Sequence, residues 1–131
     1  LLMVFVAGWL SDKLGYRVVI AFIVFTSGVV TIFLGLSTGA LLIASVYLQP
    51  MLVSAFFPAG FTALANVSGA AQRNLSVSLV IPIAYLGGGG AFPSLIGWLA
   101  EKGAFEVGFV GVGMLTVAGL VLVPGLEARS R

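Results

Sequence analysis

The residues of this sequence that could do chemistry form one charged cluster and a scatter of polar side chains in apolar surroundings. Asp12, Lys13 and Arg17 place a carboxylate and two cations in one short segment. This crowding predicts a charge network in which Asp12 interacts with the positive N-terminal end of a neighbouring helix. The alternative is a short solvated loop whose cations anchor it at a membrane surface.

The usual components of an enzyme site are missing from the sequence. It has no histidine and no cysteine, which removes the common metal ligands and the common proton shuttle at neutral pH. No nucleophile–base pair and no phosphate-binding loop occurs, and a net charge of +2 is too small for nucleic-acid binding. We therefore expect no enzyme, no cofactor, no metal site and no nucleic-acid partner.

The composition indicates the environment of the elements that position these residues. Of 131 residues, 60% are hydrophobic and 8% are charged, whereas a soluble domain carries about 25% charged residues. The mean hydropathy is +1.22. Too few polar groups are present to cover a water-exposed surface, so the sequence predicts an integral membrane protein embedded in the lipid bilayer.

Four apolar stretches are long enough to cross a bilayer as helices, since each exceeds the ~18 residues that mark a transmembrane segment. They run over 18–36, 40–66, 75–100 and 104–126. Because the stretches do not alternate in polarity, they favour helices over barrel strands. The predicted fold is an all-α membrane bundle of four transmembrane helices plus a partial one, 1–10, followed by a loop over 11–17.

The positive charges are distributed unequally between the two sides of this arrangement. One side receives Lys13, Arg17, Arg73, Arg129 and Arg131, and the other receives Lys102. The positive-inside rule places the first side, with the C-terminus, in the cytoplasm. The compact loops and short tail favour a bacterial inner membrane.

The segment Gly8-Trp9-Leu10-Ser11-Asp12-Lys13-Leu14-Gly15-Tyr16-Arg17 resembles the cytoplasmic signature loop of the major facilitator superfamily, G-x-L-x-D-[RK]-x-G-x-[RK]. Tyr16 departs from the pattern, because many members carry a second basic residue there. The resemblance covers essentially the whole chain. It implies secondary active transport of a small solute by alternating access, within a twelve-helix fold whose N-terminal half is missing from this sequence.

The family carries this loop twice, once in each half. The second copy fits better, because the chain ends shortly after the fourth stretch and 40–66 holds no charge. Residues 1–10 then correspond to the end of helix 8, and the four stretches to helices 9 to 12. The first-half copy remains the alternative. The resemblance implies a conformational latch formed by Gly8, Asp12, Lys13, Gly15, Arg17 and Arg73.

Polar residues and helix breakers concentrate in the second and third stretches. The resemblance implies that the second lines a central cavity, that the third borders the other half, and that the first and fourth face lipid and support them. Gln49, Tyr85, Tyr47 and Ser54 are the candidate substrate contacts, because polar side chains in lipid face protein or water. For Gln49 the alternative is a hydrogen bond between helices. The candidate flexing points are Pro50, Pro58, Pro82, Gly87, Gly88, Gly89 and Gly90.

Two other functions stay open beside transport. The chain could be a small non-transporting membrane protein, a scaffold or assembly subunit complete at four spans. It could also be a half-size transporter that dimerises. The substrate, the coupling ion and the direction of transport do not follow from the sequence, because one fold hosts many functions.

Overall fold

The computed structural model describes residues 2–68 and 72–126, with all of their side chains except those of Leu2 and Arg73. The described part is helical, and no strand occurs in it. The helices are α1 (Leu2–Leu14), α2 (Tyr16–Leu36), α3 (Gly39–Val67), α4 (Arg73–Ala84), α5 (Phe92–Glu101) and α6 (Phe105–Ala118). A π-helical segment, Tyr85–Ala91, joins α4 to α5, and a 3₁₀ segment, Gly119–Gly125, continues α6.

Four continuous helices are long and apolar enough to cross a membrane. They cover Tyr16–Leu36, Gly39–Val67, Asn74–Glu101 and Phe105–Gly125. A helix satisfies every backbone amide within one segment, which is the requirement inside a bilayer. The predicted all-α bundle is therefore confirmed, and the chain has the character of a multi-pass integral membrane protein. We call Asn74–Glu101 the third span below.

Helix α2 lies at the centre of the described bundle and packs closely against both α3 and α6. Helix α1 packs mainly on α3, and α5 packs on α6. The buried apolar core lies at the junction of α1, α2 and α3 and consists of Ala7, Val19, Ile20, Ile23, Ala55, Ala59 and Ala63. Its alanines let α3 approach its neighbours closely, as small residues do in membrane helix interfaces.

Glycines make the contact between α2 and α6 unusually close. A Cβ atom added to Gly113 would lie 2.8 Å from the carbonyl oxygen of Gly28 and 2.9 Å from the backbone nitrogen of Ile32. A Cβ added to Gly35 would lie 2.8 Å from the Cβ of Phe109. These backbones therefore touch directly, and α2 and α6 form one tightly packed pair. The resemblance implies a supporting role for these two spans, and it does not predict the glycines that join them.

The third span is the least packed of the four. None of its described residues is buried, and its first part, α4, has few contacts with α3. Pro82 lies inside α4, and four consecutive glycines lie in the π-helical segment. π-Helical turns are rare and often mark functional positions. The third span is thus attached to the bundle chiefly through α5.

Candidate functional site

The charged cluster of residues 12–17 forms a turn that is tighter than expected. The sequence predicts a loop over 11–17, whereas α1 continues to Leu14 and α2 begins at Tyr16. Only Gly15 leaves the helical conformation, with φ 84° and ψ 140°. A side chain rarely adopts such a positive φ, whereas glycine adopts it freely.

Hydrogen bonds explain why the helix extends into this polar segment. The hydroxyl of Ser11 donates to the carbonyl oxygen of Ala7 at 2.8 Å, and the N–H of Gly15 donates to the carbonyl oxygen of Ser11 at 3.0 Å. Continuing the helix satisfies backbone groups that a seven-residue loop would leave to solvent. We call residues 12–17 the charged turn.

The charged turn is bound to the end of the last span. The hydroxyl of Tyr16 donates to the carbonyl oxygen of Leu126 at 3.0 Å, and Nη2 of Arg17 donates to the carbonyl oxygen of Pro124 at 3.0 Å. Carbonyls at a helix C-terminus lack partners within the helix and attract a cation. Tyr16 and Arg17 therefore cap the last span from another helix. The sequence alone does not predict this capping role of Tyr16 and Arg17.

The other charged residues of the turn are exposed. Nζ of Lys13 lies 4.2 Å from the centre of the Trp9 ring, a cation–π contact that holds the lysine along α1. Asp12 is exposed at the same end of the bundle. The partner that the resemblance implies, the start of a helix in the other half of the fold, is not among the described residues. The interaction of Asp12 with such a helix stays a prediction.

Gly8 and Arg73 are the two other residues of the predicted latch. Gly8 lies within α1, and a Cβ added there would meet nothing within 4 Å. Arg73 begins α4, but its side chain lies outside the described residues. The tail with Arg129 and Arg131 also lies outside them. The contact between Arg17 and the last span is thus the best-defined part of the predicted latch.

Gln49 makes hydrogen bonds between helices, which is the alternative role that its sequence position leaves open. Its Nε2 donates to Oγ1 of Thr31 at 2.8 Å and to Oγ of Ser27 at 3.3 Å. Both hydroxyl residues are buried in α2, and Thr31 in turn donates to the carbonyl oxygen of Ser27 at 2.8 Å. Oε1 of Gln49 is buried and has no partner among the described residues. Gln49 therefore joins α3 to α2, and its contact with a substrate stays a prediction.

The opposite face of α3 carries the other polar groups. Tyr47 is 71% exposed there, and Ser54 and Pro58 are seven and eleven positions further along the same face. The hydroxyl of Ser54 donates to the carbonyl oxygen of Pro50 at 2.7 Å. Because Pro50 and Pro58 have no N–H, the carbonyls of Val46 and Ser54 lose their helical donors. We call this strip of α3 the polar face.

The polar face and the third span are not joined by a hydrogen bond in the described part of the chain. Tyr85, at the start of the π-helical segment, is 75% exposed. A Cβ added to Gly88 or Gly90 would meet nothing within 4 Å. The glycine run is therefore not explained by close packing within this bundle. Its role as a flexing point stays a prediction.

The described residues contain no group of three or more His, Cys, Asp or Glu side chains that could hold a metal ion. What they contain is a capped, charged turn at one end and neutral polar groups along the helices. Such groups can orient a solute or another polypeptide by hydrogen bonds. No family model, no curated protein and no solved structure matches this chain, so the likeness to the major facilitator superfamily rests on the charged turn and the order of spans.

Proposed function

We propose that this chain is part of a secondary transporter that moves a small solute across a membrane by alternating access, as the resemblance to the major facilitator superfamily implies. The observation that carries the proposal is the charged turn. Six positions of the family's loop pattern are present, and Gly15 forms the whole turn between two consecutive helices. The turn lies where a latch against a second bundle would have to lie, at one end of the spans.

The packing of the helices supports this proposal, because α2 and α6 are tightly packed whereas the third span is not. Direct backbone contact at Gly28 and Gly113 fixes α2 and α6 to each other. The third span has no buried residue among those described, and a π-helical segment interrupts it. Alternating access requires one bundle to move against another as a unit around a central site. In this proposal α2 and α6 keep the unit together, and the third span borders the moving partner.

The polar face supports a path for a solute. Exposed polar groups inside a bilayer are costly unless they face water or protein, so Tyr47 and Ser54 favour a water-filled or protein-lined space beside α3. Charged residues occur only near the ends of the four spans, at Arg17, Glu101 and Glu106. The groups that this part of the protein offers a solute are therefore neutral hydroxyls and amides. In this proposal a carboxylate that couples transport to protons lies outside the four spans of this chain.

Uptake by the full-length protein in proteoliposomes, with and without a proton gradient, tests the proposal. A panel of radiolabelled sugars, organic acids and neutral drugs is compared with empty liposomes. We expect uptake of at least one solute class, and faster uptake with the gradient if transport is proton-coupled. A folded, monodisperse protein that moves none of them would contradict the proposal and favour the scaffold alternative.

The latch is tested in the same assay by Asp12→Asn. We expect slower conformational cycling, seen as a lower maximal rate of uptake, with near-normal expression at the membrane. Glu101→Gln is the matched control, because it removes the same charge at the opposite end of the spans. Unchanged uptake kinetics in Asp12→Asn would remove the latch from the proposal while leaving transport itself intact.

A further inference from the structure

An apolar cavity of about 330 Å³ opens between α3 and α4. Phe56 and Leu64 line it from α3, and Val80 and Ala84 line it from α4. Every residue around it is apolar or glycine. An engineered apolar protein cavity of about 150 Å³ stays free of water and binds benzene, so this space is large enough for a longer hydrocarbon.

The cavity exists because two consecutive helices diverge. Helices α3 and α4 follow each other in the chain but have few contacts, since the third span is held by α5. Inside a bilayer such a gap offers water no hydrogen-bonding partner, and leaving it empty would forfeit the dispersion contacts of its walls. A hydrocarbon chain satisfies both conditions.

Positive charge lies at one end of the cavity. Ile20 lines it one helical turn beyond Arg17, and Leu126 lines it while its carbonyl accepts the hydroxyl of Tyr16. The guanidinium of Arg17 is fixed beside Leu126 by its bond to the Pro124 carbonyl. The cavity thus runs from the apolar interior to a cation at the end of the bundle.

The charges of the sequence at this end are mainly basic. Near this end of the spans the sequence has five basic residues, Lys13, Arg17, Arg73, Arg129 and Arg131, and two acidic residues, Asp12 and Glu127. Basic residues at a membrane surface attract anionic lipid headgroups, by about fivefold in affinity for each cation. Apolar walls and a basic end together match one kind of molecule, a lipid with a negative headgroup.

We propose that the cavity binds one acyl chain of an anionic phospholipid from the leaflet on the Arg17 side, with the phosphate beside Arg17. The lipid fills the space between α3 and α4 and holds the third span at its present distance from the bundle. This site is independent of the identity of any transported solute.

Photo-crosslinking of the full-length protein in nanodiscs tests the site. The probe is phosphatidylglycerol with a diazirine in one acyl chain, and phosphatidylcholine with the same acyl diazirine is its matched comparison. Mass spectrometry of the labelled peptides then locates the chain. We expect the peptide containing Phe56–Leu64 to be labelled about fivefold more by the anionic probe than by the zwitterionic probe.

Two variants that fill the cavity connect the label to the site. Ala84→Phe and Val80→Phe each place a ring into the space, and we expect either to reduce the anionic label on Phe56–Leu64 about fivefold, to the level of the zwitterionic probe. Ile83→Phe is the control, because Ile83 lies on the same helix, is 68% exposed and does not line the cavity. Monodisperse elution of each variant shows that its fold is retained.

Three results would overturn the proposal. Equal labelling by the two probes would show that the headgroup is not recognised. Undiminished labelling in both folded cavity variants would place the lipid elsewhere on the surface. Absence of label from Phe56–Leu64, with label on other spans, would show that another part of the protein occupies the space.

Discussion

Substitution of Gly113 by alanine tests the packing of α2 against α6. The added Cβ would lie 2.8 Å from the carbonyl oxygen of Gly28 and 2.9 Å from the backbone nitrogen of Ile32. An ordinary contact needs about 3.5 Å, so the two helices must separate locally by about 0.7 Å. Neither backbone atom can rotate away as a side chain can. Overpacking of this kind costs about 1–3 kcal/mol of folding free energy.

Gly111→Ala separates this steric cost from the effect of alanine on the helix itself. Gly111 lies in the same helix, and a Cβ added there would meet nothing within 4 Å. Both variants gain the same helix propensity, about 1 kcal/mol, so their difference measures the clash. We expect the thermal midpoint of Gly113→Ala to lie about 2–12 °C below that of Gly111→Ala.

Thermal unfolding in detergent, followed by size-exclusion chromatography of the heated samples, is the measurement. Equal midpoints for the two variants would refute the direct backbone contact. A lower midpoint for Gly111→Ala than for Gly113→Ala would show that α6 presents a different face to α2.

The remaining predictions concern the charged turn and the Gln49 contact. Tyr16→Phe removes one hydrogen bond, worth about 1 kcal/mol, from the end of the last span. Amide hydrogen exchange over 119–126 should therefore accelerate about fivefold. Unchanged exchange would contradict the capping role of Tyr16. A double-mutant cycle of Gln49→Leu and Thr31→Val should give a coupling energy of about 0.6 kcal/mol in unfolding measurements, as hydrogen bonds between membrane helices do, and a coupling of zero would place Gln49 elsewhere. Gly15→Ala should lower stability by about 1–3 kcal/mol because alanine is strained at φ 84° and ψ 140°, and a stability equal to wild type would exclude the one-residue turn.

The spans and their faces could be predicted from the sequence because they depend on run length and helical periodicity, which are local properties. Run length predicts four helices whose ends agree with the structure within about two residues, as is typical for such boundaries. Helical periodicity places Tyr47 and Gln49 on nearly opposite sides of α3, and the structure shows one exposed and the other hydrogen-bonded to α2. Polarity alone did not reveal which of the two would be buried.

The contacts between distant parts of the chain could not be predicted from the sequence in this way. The bond from Tyr16 to Leu126 joins residues at opposite ends of the sequence, and no periodicity carries that information. The close approach at Gly28 and Gly113 had a partial signal, since glycines in apolar helices mark tight interfaces. The spacing of the glycines along one helix does not predict which other helix packs against them. The turn at Gly15 was predicted too long, because hydrophilic residues were read as a loop although they continue α1.

The π-helical segment Tyr85–Ala91 gives the third span a property that a plain helix lacks. Its hydrogen bonds reach one residue further than α-helical bonds, as in the bond from the Phe92 N–H to the Gly87 carbonyl, so the segment stores spare backbone length. If the segment rewound as α-helix, Trp98 and the residues after it would rotate by about 100° about the helix axis relative to Pro82. Deleting one of the four glycines would instead remove the extra residue. The segment would then form α-helix while α4 and α5 keep their present orientation, and the rotation would no longer be available.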